Sequence, residues 1–364
     1  MARVRLLVAV AGLLSLVGSG SSGPGVQTLY SSPSGPISAF AQDGQLLAWY
    51  APGNGRCNAV HVLSLRGVEV TLPKAGTNNV TCRWAMGNAP VGLAVASHDG
   101  STLWTLHQHG SVDLDYAVGA SVRVQRERRF DQLAHTRAGA GLWLGGLSGD
   151  GKTLVYSTVT VSYRNQAACL SGGSCARRVA GGGVHRIAGR RNPVVPHTRA
   201  ALQLAASAGR IAYVRAASVD AGGQPVPNAH LPLEIRVATT GKLVSLPRPD
   251  GVPLAIALSP HVLAVLARTG RKLHVSWYDV SSGRRIGKVG VPRATSHVLG
   301  ASERDVVFHV GRVIEALDLA SRRVHKLTKA AAPPVGLSLE GARVAWAENV
   351  KGRGRIRALS LQPR

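Results

Sequence analysis

Acidic residues are scarce in this chain. Among 364 residues there are 18 Asp and Glu against 43 Lys and Arg, a formal net charge of +25. No two of these acids stand at a spacing that marks paired carboxylates for glycoside cleavage. Aromatic residues are also few, at 4%, so the chain offers no aromatic-rich platform on which bases of a single-stranded nucleic acid would stack. There is no CxxC spacing and no clustered His beside the four Cys, which removes the usual zinc frameworks. No P-loop or dinucleotide fingerprint is present, and no metal or cofactor is called for. Beyond the N-terminus no apolar run reaches membrane-spanning length.

What the chain has in abundance is turn residues. Its 43 Gly and 19 Pro are spread along the whole length, which suits many short strands better than a few long helices. The hydrophobic fraction of 45% is that of a folded chain. The basic excess invites a polyanion as partner, whether nucleic acid, anionic lipid or an acidic envelope polymer. An Arg-dominated excess in an Ala-, Gly- and Val-rich chain is also what GC-rich coding produces with no partner at all. The excess is uneven: residues 1–120 hold 6 basic and 5 acidic groups, residues 121–200 hold 13 and 3.

Arg3 and Arg5 precede an apolar stretch from Leu6 to Val17, followed by the small residues Gly18 to Ser22. A positive region, an apolar region and a small-residue zone in that order read as a secretory signal peptide, assigned to residues 1–25. The expected location is outside the cell or in the envelope, with an uncleaved anchor as the alternative. An even number of Cys in an exported chain favours disulfides. Four Cys allow three pairings. The short loop Leu170–Ser174 favours Cys169 with Cys175, which leaves Cys57 with Cys82.

A pattern recurs at intervals of roughly 40 residues. Each copy has a short apolar strand, a turn with Gly or Asp, a second strand rich in Val and Ala, and two further strands. The copies cover residues 37–74, 81–118, 141–197, 201–249, 253–291, 296–329 and 334–362. A four-stranded meander cannot bury both of its faces alone, whereas radial repetition lets neighbours bury each other. The last copy has three strands, and an unassigned strand stands at 26–30. The fold class expected is therefore all-β: one seven-bladed β-propeller over 26–364, of four-stranded antiparallel blades, closed by the N-terminal strand joining the last blade. Segments such as Ser148–Thr158 (SGDGKTLVYST), Ala257–Ala267 (ALSPHVLAVLA) and Trp277–Arg285 (WYDVSSGRR) resemble the WD40-like and TolB-like propeller repeats of bacterial exported proteins. The resemblance implies the fold and leaves the ligand open.

In such a blade, turns between strands two and three share a face with the connections between blades. The long excursions 51–58, 164–182, 217–232 and 119–139 all fall on that face, and so do both expected disulfides. Arg126, Arg128 and Arg129 in the connection, with Arg164, Arg177 and Arg178 in the insertion, make it the candidate anion-binding surface. His107 and His109 stand close to Asp113 and Asp115. With a two-residue turn at Gly110–Ser111, Gln108 faces Asp113, and the His and Asp pairs point to opposite sides. The GGLSG segment at Ser148 lies between strands and does not match a hydrolase elbow. No catalytic residue is assigned. The reading is a monomeric, non-enzymatic binding or scaffold module that recognises a protein or an anionic envelope polymer. Nucleic acid is disfavoured, and a propeller hydrolase or lyase acting on a glycan is the alternative.

Overall fold

The computed structural model describes residues 25–32, 35–52, 58–65, 92–98, 100–109, 114–121, 140–163, 177–188, 191–220, 225–227, 233–245, 247–248 and 250–362. Its regular structure is β throughout. The first strand, β1 (Gln27–Ser31), belongs to the last sheet. The other strands form seven antiparallel meanders in chain order. They are β2 (Ala39–Asp43), β3 (Leu46–Pro52) and β4 (Asn58–Ser64); β5 (Gly92–Ala96), β6 (Ser101–His109) and β7 (Leu114–Ser121); and β8 (Ala140–Asp150), β9 (Thr153–Tyr163) and β10 (Arg177–Arg186). The fourth sheet holds β11 (Ala201–Ser207), β12 (Arg210–Val219), β13 (Pro225–Pro227), β14 (Leu233–Val237) and β15 (Leu243–Ser245). The fifth holds β16 (Val252–Leu258), β17 (Val262–Thr269), β18 (Lys272–Asp279) and β19 (Arg285–Val291). The sixth holds β20 (Gly300–Ala301), β21 (Asp305–Val310), β22 (Val313–Asp318) and β23 (Arg323–Lys329). The seventh holds β24 (Pro334–Glu340), β25 (Arg343–Val350) and β26 (Arg353–Ser360), with β1 paired to β26.

The period-2 alternation of strands explains how the sheets stack. Along β17, Leu263, Val265 and Ala267 pack with Ala212, Val214 and Ile235 of the fourth sheet. The intervening Val262, Ala264 and Leu266 pack with Val306, Phe308 and Leu317 of the sixth. One strand thus feeds two cores, and Leu263 to Ala267 are all fully buried. This is why the middle strands read as unbroken apolar runs. The outer strand β19 alternates exposed and buried residues instead. Its Gly287 is required by packing, because a Cβ there would lie 2.1 Å from the Trp277 ring.

The same sharing recurs around the molecule. Ala48 and Val62 of the first sheet meet Val95 of the second. Ile37, Trp49 and Leu63 meet Ala347 and Ile356 of the seventh. The first strands β2, β5, β8, β11, β16, β20 and β24 each touch the next, and β24 touches β2.

Four expectations need correction. Four strands per unit do not hold uniformly among the described residues: three sheets have three strands and one has five. In the third unit, residues expected as a fourth strand make only isolated bridges, His185 with Val194 and Ala188 with Arg191. Pro193 and Pro196 there cannot donate to a ladder. The excursions at 164–182 and 217–232 are partly strand. β10 already begins at Arg177, and β12 runs on to Val219 with β13 folded back on it. The β6–β7 register pairs His107 with Tyr116 and Gln108 with Asp115. Four residues, not two, therefore separate these strands, although Asp115 still alternates with both His positions. Cys57, Cys82, Cys169, Cys175 and residues 1–24, where a signal peptide is expected, lie outside the described residues. No helix among the described residues is long and apolar enough to cross a membrane.

Candidate binding faces of the ring

The face carrying the first-to-second strand turns is stitched by polar side chains. Asp43, at the end of β2, is 3% exposed. Its Oδ2 accepts the Ser97 amide at 2.5 Å and the Gly151 amide at 2.7 Å, so one carboxylate ties turns of three consecutive sheets. The Asp150 carboxylate accepts the Ala208 amide of the fourth sheet. Arg210 Nη1 donates to the Pro260 carbonyl at 2.9 Å, and the His261 amide donates to Glu303 Oε1 at 3.2 Å. Arg343 Nε donates to Gln42 Oε1 at 3.0 Å, and its Nη2 donates to the Gly44 carbonyl.

Glu340 lies in the same cluster. Burial raises its carboxyl above the usual range, the Asp43 and Asp150 charges add to this, and the Arg343 guanidinium opposes it. Asp150 is raised chiefly by burial, against the Ala208 amide that favours its charged form. Three carboxylates therefore converge at one end of the ring. The oxygens of two of them already cap backbone amides, which is structural work. Among the described residues no group of three His, Cys, Asp or Glu could hold a metal ion.

The opposite face carries the second-to-third strand turns and the connections between sheets. Arg177 and Arg178 are adjacent at the start of β10, beside the insertion. Arg178 is exposed, its Nε donating to Ser162 Oγ at 3.4 Å. Arg126, Arg128, Arg129 and Arg164 lie outside the described residues. Further bases stand on this face that the sequence reading missed. Arg271 lies between β17 and β18 with Lys272 opening β18, Arg293 follows β19, Arg312 lies between β21 and β22, and Lys351 lies between β25 and β26 with Arg353 opening β26, all six exposed. A signal for most of them was present: successive turns read Gly-Arg-Lys, Gly-Arg and Lys-Gly-Arg.

A buried charge network roots the fourth-sheet excursion on this face. Glu234 is 6% exposed. It accepts two hydrogen bonds from Arg236, each at 2.8 Å, and one from the Tyr213 hydroxyl. Arg215 Nη1 stands at 3.6 Å. Burial, followed by the Glu234 carboxylate, holds the Tyr213 phenol well above its ordinary range. In the third sheet, Tyr156 stacks on His185 at 4.6 Å and accepts from Asn192 Nδ2 at 2.8 Å. Burial pushes that phenol up to about 12.

This architecture is that of a β-propeller. Neither a family model nor a curated protein matches the chain. Among solved structures it is similar to the WD40 β-propeller domain of Doa1, with TM-score 0.50 and 9% identity over 92% of this chain and 97% of that one. A chain of the Mitotic Checkpoint Complex gives TM-score 0.51 and 11% identity over 98% and 100%. TolB from Acinetobacter baumannii gives 0.36 and 14% over 71% and 55%. At such identities the likeness is one of fold.

Proposed function

We propose that the chain is an exported binding or scaffold module in which each sheet serves as one of seven propeller blades. The antiparallel pairing of β1 with β26 would latch the ring. Its long-loop face recognises a protein or an anionic envelope polymer. The observation that carries this reading is the division of labour between the two ends. Side chains at the tight-turn end stitch sheets together, whereas the excursions leave from the other end, where Arg178 and six further bases are also exposed. Arg presents a planar fork suited to carboxylate, sulfate or phosphate. In this reading Arg126, Arg128, Arg129, Arg164, Arg177 and Arg178 contact the ligand, and disulfides Cys57–Cys82 and Cys169–Cys175 staple the loops that hold them. Stapling lowers the ordering entropy lost on binding.

Pull-down from envelope extract with the purified chain, at low and at high salt, tests the reading. A salt-sensitive partner retained by the native chain and lost in the Arg126→Ser/Arg128→Ser/Arg129→Ser variant is expected. Unchanged retention by that variant would overturn the loop site. The glycan hydrolase or lyase alternative draws on the convergence of Asp43, Asp150 and Glu340. Their use as amide caps and stitches weighs against it.

A further inference from the structure

Exposed bases of the fifth to seventh sheets stand at both ends of the ring, among them Arg284, Arg304 and Arg322 at the tight-turn end, and what differs is the placing of the acids. On the long-loop end, Arg271, Lys272, Arg293, Arg312, Lys351 and Arg353 are exposed, and none of them forms an ion pair among the described residues. Two carboxylates of these sheets are already matched to other bases. Asp250 Oδ2 lies 2.7 Å from Arg285 Nη1 and 2.8 Å from Lys288 Nζ. Glu348 is fully buried, with Arg355 Nε at 2.6 Å and the Ala331 amide at 2.8 Å. Asp279, Glu303, Asp305, Asp318 and Glu340 stand at the other end, Glu303 exposed and the rest half-buried. The six bases therefore face solvent uncompensated, and an uncompensated stripe of one sign concentrates counter-ions and steers polyanions.

We propose that this stripe binds a linear anionic polysaccharide, one bearing sulfate or uronate groups. The proposal rests on the long-loop reading above but adds a surface built from different residues. The geometry favours a linear ligand. The turns at 270–271, 311–312 and 351–352 belong to three successive sheets, and packed sheets stand about 10 Å apart. Cations repeated at that spacing along an arc match an extended polymer with recurrent charge, whereas a small anion would span a single turn. The nearby aromatic residues Trp277, Tyr278, Phe308 and Trp346 are at most 2% exposed. Bases therefore have no ring to stack on. The three turns are short hairpin tips with no helix or projecting ribbon to enter a duplex groove. What remains is recognition of anionic groups along a backbone by guanidinium forks and ammonium groups.

The test uses the full chain with heparin, a sulfated polysaccharide, as probe. One variant carries Arg271→Ser, Lys272→Ser, Arg312→Ser, Lys351→Ser and Arg353→Ser. A control removes the same charge from the tight-turn end through Lys152→Ser, Lys242→Ser, Arg284→Ser, Arg304→Ser and Arg322→Ser. At 0.15 M NaCl the first variant binds about tenfold or more weaker, with a flatter salt dependence, and the control stays within about twofold of the native chain. Thermal unfolding of both variants checks that they remain folded. Equal weakening in both variants, or none in the first, overturns the proposal. Duplex DNA of equal charge that binds as tightly as heparin, and is lost in the first variant, overturns the polysaccharide assignment. A loss confined to the Arg126→Ser/Arg128→Ser/Arg129→Ser variant leaves the loop reading standing and removes this one. A loss confined to the stripe variant does the reverse.

Discussion

At Asp279 one short motif shows how a side chain substitutes for missing backbone partners. Its carboxylate accepts the Ser281 hydroxyl at 2.6 Å, the Ser282 amide at 2.7 Å and the Ser282 hydroxyl at 2.6 Å. Gly283 then takes a positive φ of 66°, a region that costs other residues, and its amide returns to the Asp279 carbonyl at 2.8 Å. The same turn recurs at Asp318, which accepts the Ser321 amide at 2.7 Å, with Arg322 at φ 59° where glycine would be easier. The first of these turns lies within the WYDVSSGRR segment that carries the resemblance to propeller repeats. The serine hydroxyls and the Ser282 amide favour the charged carboxylate and hold it down to about 2. The folded value lies below the unfolded one, near 3.9, so the motif's contribution is present above pH 4. It is lost as pH falls through the folded value. An NMR titration of the Asp279 carboxyl in the native chain is expected to give a midpoint near 2. In a Ser281→Ala/Ser282→Ala variant the midpoint returns toward the ordinary range. A native midpoint at the ordinary value would contradict this account of the turn.

Single strands differ in how readily the sequence betrays them. The middle strand β17 was plain in Val262–Ala267, because both its faces are dry. The propeller class followed from such runs, as each needs a neighbour on either side. Outer strands were harder, since β19 mixes Arg285, Lys288 and two glycines with apolar residues of which Ile286 is exposed. The third unit's fourth strand was misread because Val194 and Val195 suggested a strand while Pro193 and Pro196 forbade its ladder. The β6–β7 register was missed by two residues because a Gly-Ser pair mimics a two-residue turn. The basic stripe is hard to read in the sequence because its members are far apart along the chain and meet only through the blade topology. Glu234 was also silent, as nothing in LEIRV signals that a carboxylate at the start of β14 is buried. Its network gives a prediction at this scale. Glu234→Ala strands Arg215 and Arg236 beside a desolvated site, and losing one partner of a buried pair typically costs about 3–5 kcal/mol. Urea unfolding should show that loss with little change in slope. A loss below about 1 kcal/mol would mean that the two guanidiniums find water instead.

In the reading proposed above, closure of the ring depends on the pairing of β1 with β26. β1 lies along β26, with Gln27 opposite Ala358 and Ser31 opposite Arg355. The Ser32 amide continues the ladder to the Gly354 carbonyl at 2.7 Å. Tyr30 sits 4.3 Å from the Trp49 ring of the first sheet, so the same strand covers the edge of one sheet and the core of the next. Asn349 reinforces the seam: its Oδ1 accepts the Ile37 amide and its Nδ2 donates to the Ile37 carbonyl, both at 2.8 Å. A closed ring has no weak end except its seam, so damage there should be felt by the whole. Chains beginning at Gly25 and at Gly35 both lack residues 1–24 and differ by the segment that carries β1. Without β1, the β26 edge presents unpaired amides and carbonyls, an invitation to pairing between copies. The shorter chain is expected to unfold more than about 5 °C below the longer one, as a loss of a few kcal/mol produces in a chain of this size. It should also associate in a concentration-dependent way in sedimentation. Equal melting temperatures would mean that the seven first strands hold the ring closed by themselves and that β1 only decorates its rim.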